Sequence, residues 1–255
     1  MAKLIELIKR ATRTEPGPIG FGATSRKPQP TMLLVALATD HWPRGAADAV
    51  AAGADAVLLA GRPADKDIAE AVKAADGRPC GLLAPDAAAD QVSRLREAGL
   101  DFLAVGVQAG ANVLLDEGVT FLLHLREELT DVQLRAVEPM PFAGVYAERD
   151  AAPATIMRMI ELQRLSGLTR KPLLLTLPPE SKEEDLLSLR EAGVALVAVD
   201  LRERGATDAL RRLRGVIDGL PRRRKPRSEE RAAPSLPSGG GRAGPAEGEE
   251  EEEEE

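Results

Sequence analysis

Ten polar side chains in this sequence are of types that can act together on a small molecule: Asp40, Arg62, Gln108, His124, Arg126, Tyr146, Glu148, Thr176, Asp200 and Arg202. His41 and Trp42 stand beside the first of them. Three acids with a histidine offer ligands suited to a hard divalent cation, magnesium or manganese, with Asp40, Glu148 and Asp200 as the candidate metal ligands. Arg62, Arg126 and Arg202 offer forked donors for a carboxylate or phosphate. Glu148 or His124 can exchange a proton with whatever is bound. Asp40, His124, Glu148 and Asp200 are therefore the expected catalytic groups, and His41, Arg62, Gln108, Arg126, Tyr146, Thr176 and Arg202 the expected binding groups. The chain contains only two His, one Trp and one Tyr. All four fall at the ends of apolar runs or just beyond them, so their clustering carries weight.

What is missing excludes other chemistries. No His-x-His or His-Glu-x-x-His spacing occurs, which argues against a zinc hydrolase. No Lys lies inside or at the C-terminal end of any strand pattern, so a Schiff-base aldolase has no nucleophile in the right place; Lys171 precedes the seventh strand at the opposite end. A Gly-x-Ser-x-Gly elbow is absent. The single Cys80 rules out an intrachain disulfide framework and a cysteine zinc cluster.

The elements that must position these residues alternate regularly from Thr31 onward. Strand patterns cover Met32–Thr39, Ala56–Gly61, Cys80–Ala84, Phe102–Val107, Thr120–Leu125, Phe142–Glu148, Leu173–Leu177 and Leu196–Leu201. Helical patterns follow near 44–52, 64–75, 87–98, 111–117, 130–138, 152–166, 181–192 and 206–218. Thr130 suits an N-cap and Pro153 a first helical turn. Gly53, Gly77, Gly99 and Gly193 follow helices, where a left-handed residue is wanted. Eight strands, each followed by a helix, predict a (β/α)8 TIM barrel. An open doubly wound sheet is the alternative, but its first turn is usually Gly-rich, and here that turn reads Asp40-His41-Trp42-Pro43.

One passage occurs twice. Arg78-Pro79 opens an apolar run, a polar stretch, Leu95-Arg96-Glu97-Ala98-Gly99 and a second apolar run; Lys171-Pro172 opens the same series through Leu189-Arg190-Glu191-Ala192-Gly193. The two copies fall on strands three and four and on strands seven and eight, as a half-barrel repeat would. Convergence of α/β units on a helix–Glu-Ala-Gly–strand pattern is the alternative.

Strand alternation then sorts the side chains, because outward positions must pack on helices. It sends Thr120, Leu122 and His124 inward, with Gly144, Tyr146 and Glu148, Thr176, Ala198, Asp200 and Arg202, and Ala104, Gly106 and Gln108. Ala143 is expected outside. On the first strand, small-inside packing sends Ala36, Ala38 and Asp40 inward, and similar reasoning sends Arg62 inward from the second. The polar members gather at the C-terminal strand ends, where barrel enzymes place their sites. An ion pair of Asp200 with Arg126 or Arg62 is the structural alternative to catalysis.

Composition sets the outer limits. Of 255 residues roughly 220 read as foldable, enough for one large α/β domain. Aromatics are only 2% against 44% hydrophobic, so Ala, Val and Leu must build the core. A net charge of −7 argues against nucleic acid as the main partner. No apolar run is long enough to span a bilayer and no signal-peptide pattern opens the chain, so a cytoplasmic protein is expected. Residues 1–30 read as an amphipathic helix followed by a Pro/Gly-rich arm closing one end, 31–220 as the barrel, and 221–255 as a disordered tail, basic and then acidic. The tail reads as a solubilising appendage or as a tether for a cationic protein partner.

The segment Ala51–Gly61 resembles the helix–strand junction of barrels that bind phosphate or flavin, including the nitronate monooxygenase group. That resemblance implies the barrel fold and Gly-rich phosphate loops after the seventh and eighth strands. Here those loops read Pro178-Pro179-Glu180-Ser181 and Arg202-Glu203-Arg204-Gly205, which disfavours a flavin, although Gly205 can still lend amides to an anion. The expected function is a lyase or isomerase acting on a small anionic metabolite by proton transfer. A non-catalytic barrel that binds through its tail is the alternative, a flavin oxidoreductase a weaker one, and an oligomer is compatible with each.

Overall fold

The computed structural model describes residues 3–12, 31–148 and 155–221. Eight parallel strands close into a barrel in the order β1-β2-β3-β4-β5-β6-β7-β8. They are β1 (Leu33–Ala38), β2 (Ala56–Leu59), β3 (Cys80–Leu83), β4 (Phe102–Gly106), β5 (Thr120–Leu125), β6 (Phe142–Ala147), β7 (Leu173–Thr176) and β8 (Val194–Asp200). Around them run α2 (Trp42–Ala51), α3 (Asp65–Ala74), α4 (Ala89–Glu97), α5 (Asp131–Ala136), α6 (Ile156–Thr169), α7 (Glu183–Glu191) and α8 (Ala206–Gly219). The fourth unit departs from expectation: 111–117 is no α-helix but a 3-10 turn, Ala111–Leu115. That short segment, closed by Asp116 in an extended conformation, is all that separates β4 from β5 besides loop.

Two separate apolar clusters show how the barrel is filled. The inner one holds Leu33, Val35, Leu37, Ala56, Leu58, Phe102, Ala104, Leu122, Tyr146, Leu174, Leu196 and Ala198. The outer one lies between strands and helices and includes Ala36, Ala38, Leu103, Val105, Phe121, Leu123, Val145 and Val197. Helix α1 (Lys3–Thr12) closes the N-terminal end, its Leu4 and Ile8 joining the inner cluster. The Asp101 carboxylate just before β4 accepts the Lys3 and Leu4 amides at 2.6 and 2.8 Å, satisfying donors that the first helical turn leaves free. The arm at Thr14–Pro30, the Pro153 turn and the tail beyond Pro221 lie outside the described residues.

Alternation sorts β4, β5, the upper half of β6 and β8 as expected, and fails on β1. Ala36 and Ala38 face outward, and Leu33, Val35 and Leu37 face in. The cause is the close approach of α2: a Cβ on Gly45 would lie 3.1 Å from the Ala38 Cβ, and Ala46 and Ala49 complete the small-residue contact. Ala143 is likewise corrected, since it packs against the inner cluster. The β5–β6 register slips there, Phe121 pairing with Phe142 but Leu122 with Gly144, and a similar slip occurs where β7 meets β8.

The repeated passage maps onto β3–α4–β4 and β7–α7–β8, four strands apart on the ring. Gly99 and Gly193 end the two equivalent helices with φ of 94° and 97°, a conformation that a side chain would strain.

Candidate functional site

At the C-terminal end of β5 and β6 the inward register brings together a buried imidazole and a carboxylate. His124 points into the barrel with its side chain 1% exposed, and its Nε2 lies 2.8 Å from Glu148 Oε2. Glu148, one residue past β6, is 44% exposed, so it is the member of the pair that a ligand can reach. Arg126, one residue past β5, sets its Nε 3.2 Å from the same Oε2. Both neighbours thus engage Oε2, which leaves Oε1 without a partner among the described residues.

The carboxylate fixes the imidazole tautomer. An ionised Glu148 only accepts, so Nε2 carries the proton and donates it, and Nδ1 bears the lone pair. Nδ1 is buried and has no hydrogen-bond partner. Burial pushes the His124 pKa below its ordinary value; the Glu148 charge and hydrogen bond oppose that, and the Arg126 charge adds to it. The ring is neutral at pH 7.

Tyr146 holds the imidazole in place. Its ring stacks on His124 with centroids 5.1 Å apart and an interplanar angle of 21°. Its hydroxyl shares a 2.9 Å hydrogen bond with Thr176 Oγ1 on β7. Burial raises the phenol pKa, the Thr176 bond opposes this, and the charges of Glu148 and Asp200 raise it further, so both carboxylates act on one phenol. Tyr146 itself is 1% exposed and supports the site from behind.

Asp200, ending β8, reaches the rim with its carboxylate occupied. Arg202 donates to it from its backbone amide at 2.9 Å and from its guanidinium at 2.6 Å. The ion pair considered for Asp200 is therefore real, but its partner is Arg202 rather than Arg126 or Arg62. Arg202 remains 64% exposed and Arg126 69%, so both keep donors for a ligand. Asp40 is exposed beyond β1, and its charge is felt by Arg202.

The remaining expected residues do not converge on this group. His41 is exposed in a left-handed conformation with φ 44° at the start of α2. Trp42 donates its indole N–H to the Ala60 carbonyl at 2.8 Å and packs in the outer cluster, a structural task. Gln108 is exposed in the turn after β4. Arg62 is exposed along a separate 430 Å³ groove beside Asp65, Asp86 and Gln91, between the loops that follow β2 and β3. The alternation that misplaced Ala36 and Ala38 also concealed Thr39, whose hydroxyl is buried without a partner one residue past β1. The inward register of Leu33, Val35 and Leu37 is the signal that would have found it.

The candidate metal ligands do not form a cluster of three. Among the described residues no three His, Cys, Asp or Glu side chains gather where one ion could bridge them, and Asp40, Glu148 and Asp200 form no such group. Glu148 and Asp200 are each already matched to an arginine.

No family model matches the chain, and no curated protein is significantly similar to it. Solved structures do match. The likeness is one of fold. The KGPDC of Streptococcus mutans superposes with a TM-score of 0.60 at 10% identity, covering 74% of this chain and 98% of that one. A point mutant of the tryptophan synthase α-subunit from the hyperthermophile Pyrococcus furiosus gives 0.60 at 15% identity, covering 75% and 99%. An HpcH/HpaI aldolase from Desulfitobacterium hafniense DCB-2 gives 0.54 at 12%, covering 74% and 94%. The chain is thus a TIM barrel of generic type. Among the described residues no helix is long and apolar enough to cross a membrane.

Proposed function

We propose that this barrel is a small-molecule enzyme of the lyase or isomerase type, which holds an anionic metabolite at the C-terminal mouth and moves a proton with Glu148. The observation that carries the reading is the paired geometry at Glu148: Oε2 held by His124 and Arg126, Oε1 open, and the side chain half exposed. Barrel enzymes as a class place their chemistry at this end. A structural neighbour described as an aldolase fits the same class of reaction.

In this reading Arg202 and Arg126 seat the anion, and Asp200 fixes the Arg202 fork. Glu148 Oε1 takes a proton from carbon beside a carbonyl. As Glu148 becomes neutral its hold on Arg126 weakens, and the guanidinium is free to favour the negative charge developing on the ligand oxygen. Returning the proton to a different atom completes an isomerisation; loss of a leaving group completes an elimination. His124 does not meet the ligand. It orients the carboxylate as a hydrogen-bond donor, and Tyr146 and Thr176 hold it there.

A panel of small carboxylates and phosphate esters tests this by thermal stabilisation and, in D2O, by NMR detection of exchange at C–H positions next to carbonyl groups. Stabilisation by at least one anion, weakened in Arg126→Ala and Arg202→Ala, is expected. A panel that neither stabilises nor exchanges would remove the support for a metabolite enzyme.

A further inference from the structure

Every exposed large hydrophobic side chain among the described residues lies between Val107 and Ile160, on the three units from β4 to α6. The helical layer is thinnest there. A five-residue 3-10 turn and the six-residue α5 stand where the other units have helices of nine residues or more. The strands behind keep their apolar outer faces, so a cleft of 280 Å³ opens between the turn and α5, walled by Val105, Val113, Leu123, Val137 and Phe142. On the neighbouring α6, Ile156, Met157 and Ile160 are 81%, 65% and 56% exposed. Their spacing puts them on one helical face as a ridge.

Cleft and ridge occur on the same flank of the same chain. That combination is self-complementary: under a two-fold axis each copy's ridge meets the other's cleft, both are covered at once, and the assembly closes at two. The exposed apolar side chains of the flank present on the order of 700 Å² per copy, close to the roughly 800 Å² each partner buries in a standard-size interface. A monomer seldom leaves so large an apolar surface open.

We infer that this flank is a homodimer interface, in which α6 of each copy seats Ile156, Met157 and Ile160 in the cleft between Ala111–Leu115 and α5 of the other. The inference is independent of the proton-transfer reading.

Light scattering on the full-length chain, with concentration raised to about 100 µM, reads the oligomeric state directly. A dimer is expected, with Ile160→Glu and Leu115→Glu each giving a monomer of unchanged circular dichroism, since both positions are exposed. The native chain has one thiol, Cys80, which is buried. Ile160→Cys and Leu115→Cys therefore each carry a single reachable thiol, and mixing the two under oxidation should give the mixed disulfide in preference to like pairs. A wild-type monomer at the highest concentration would overturn the inference, including one whose flank captures a different protein. So would a dimer that both glutamate variants leave intact, or cross-linking of like pairs only.

Discussion

Replacing His124 by Gln should remove one pH-dependent increment of stability. The imidazole is almost wholly buried, and burial lowers its pKa despite the Glu148 carboxylate 2.8 Å away. In the unfolded chain the same group titrates near its ordinary value of 6.5. Between the depressed folded value and 6.5, the unfolded state binds a proton that the folded state does not. The contribution is therefore present in full above pH 6.5 and is lost as pH falls through the window beneath it. For a single group the slope cannot exceed about 1.4 kcal/mol per pH unit. Urea unfolding of the parent and His124→Gln at about pH 7.5 and pH 5.5 compares the two, because groups away from this site contribute to both alike and the Gln amide can still donate to Glu148. The parent should lose more than the variant across that interval, by at most about 1.4 kcal/mol, the limit set by the unfolded-state value alone. Equal losses, or a smaller loss in the parent, would mean that Glu148 outweighs burial and that the imidazole is not the neutral donor described above. With only two histidines in the chain, an NMR titration alongside His41→Asn assigns the His124 signal and checks the direction independently.

A Cβ on Gly81 would sit 2.5 Å from ring atoms of the buried Phe102, so Gly81→Ala should cost about 1–3 kcal/mol in urea unfolding by overpacking the barrel interior. Asp101→Ala removes the acceptor of the Lys3 and Leu4 amides, and should cost about 1 kcal/mol and speed proteolysis at α1. Burial, with the nearby Asp101 charge, pushes the Cys80 thiol up to about 12, so it should resist a disulfide reagent in the native state and react on unfolding.

Much of this architecture is legible in the chain because the signals are local. The alternation of Phe121, Leu123 and Leu125 with Thr120, Leu122 and His124 is enough to aim His124 inward, and the observed clusters agree. Gly99 and Gly193 likewise mark equivalent helix ends by sequence alone. What escaped the sequence depends on neighbours distant in the chain. Whether Ala36 or Leu37 faces in is decided by how closely Gly45 lets α2 approach Ala38 on the outer face. The register slips at Ala143 and Ala195 have no turn residue to announce them. That Glu148 rather than His124 meets solvent follows from the Tyr146 ring against the imidazole, a contact between adjacent strands whose residues are 22 positions apart.

The role of Glu148 is where the functional account is most exposed to test. Its direct measurement is the rate at which the parent, Glu148→Gln and His124→Gln wash deuterium from D2O into a stabilising anion. Glu148→Gln keeps the size of the side chain and removes its basicity, and should slow exchange by about 10²–10⁴-fold without comparable loss of binding. His124→Gln, acting only through the carboxylate, should slow exchange less. Parent-like exchange in Glu148→Gln would contradict the assignment of Glu148 as the group that moves the proton.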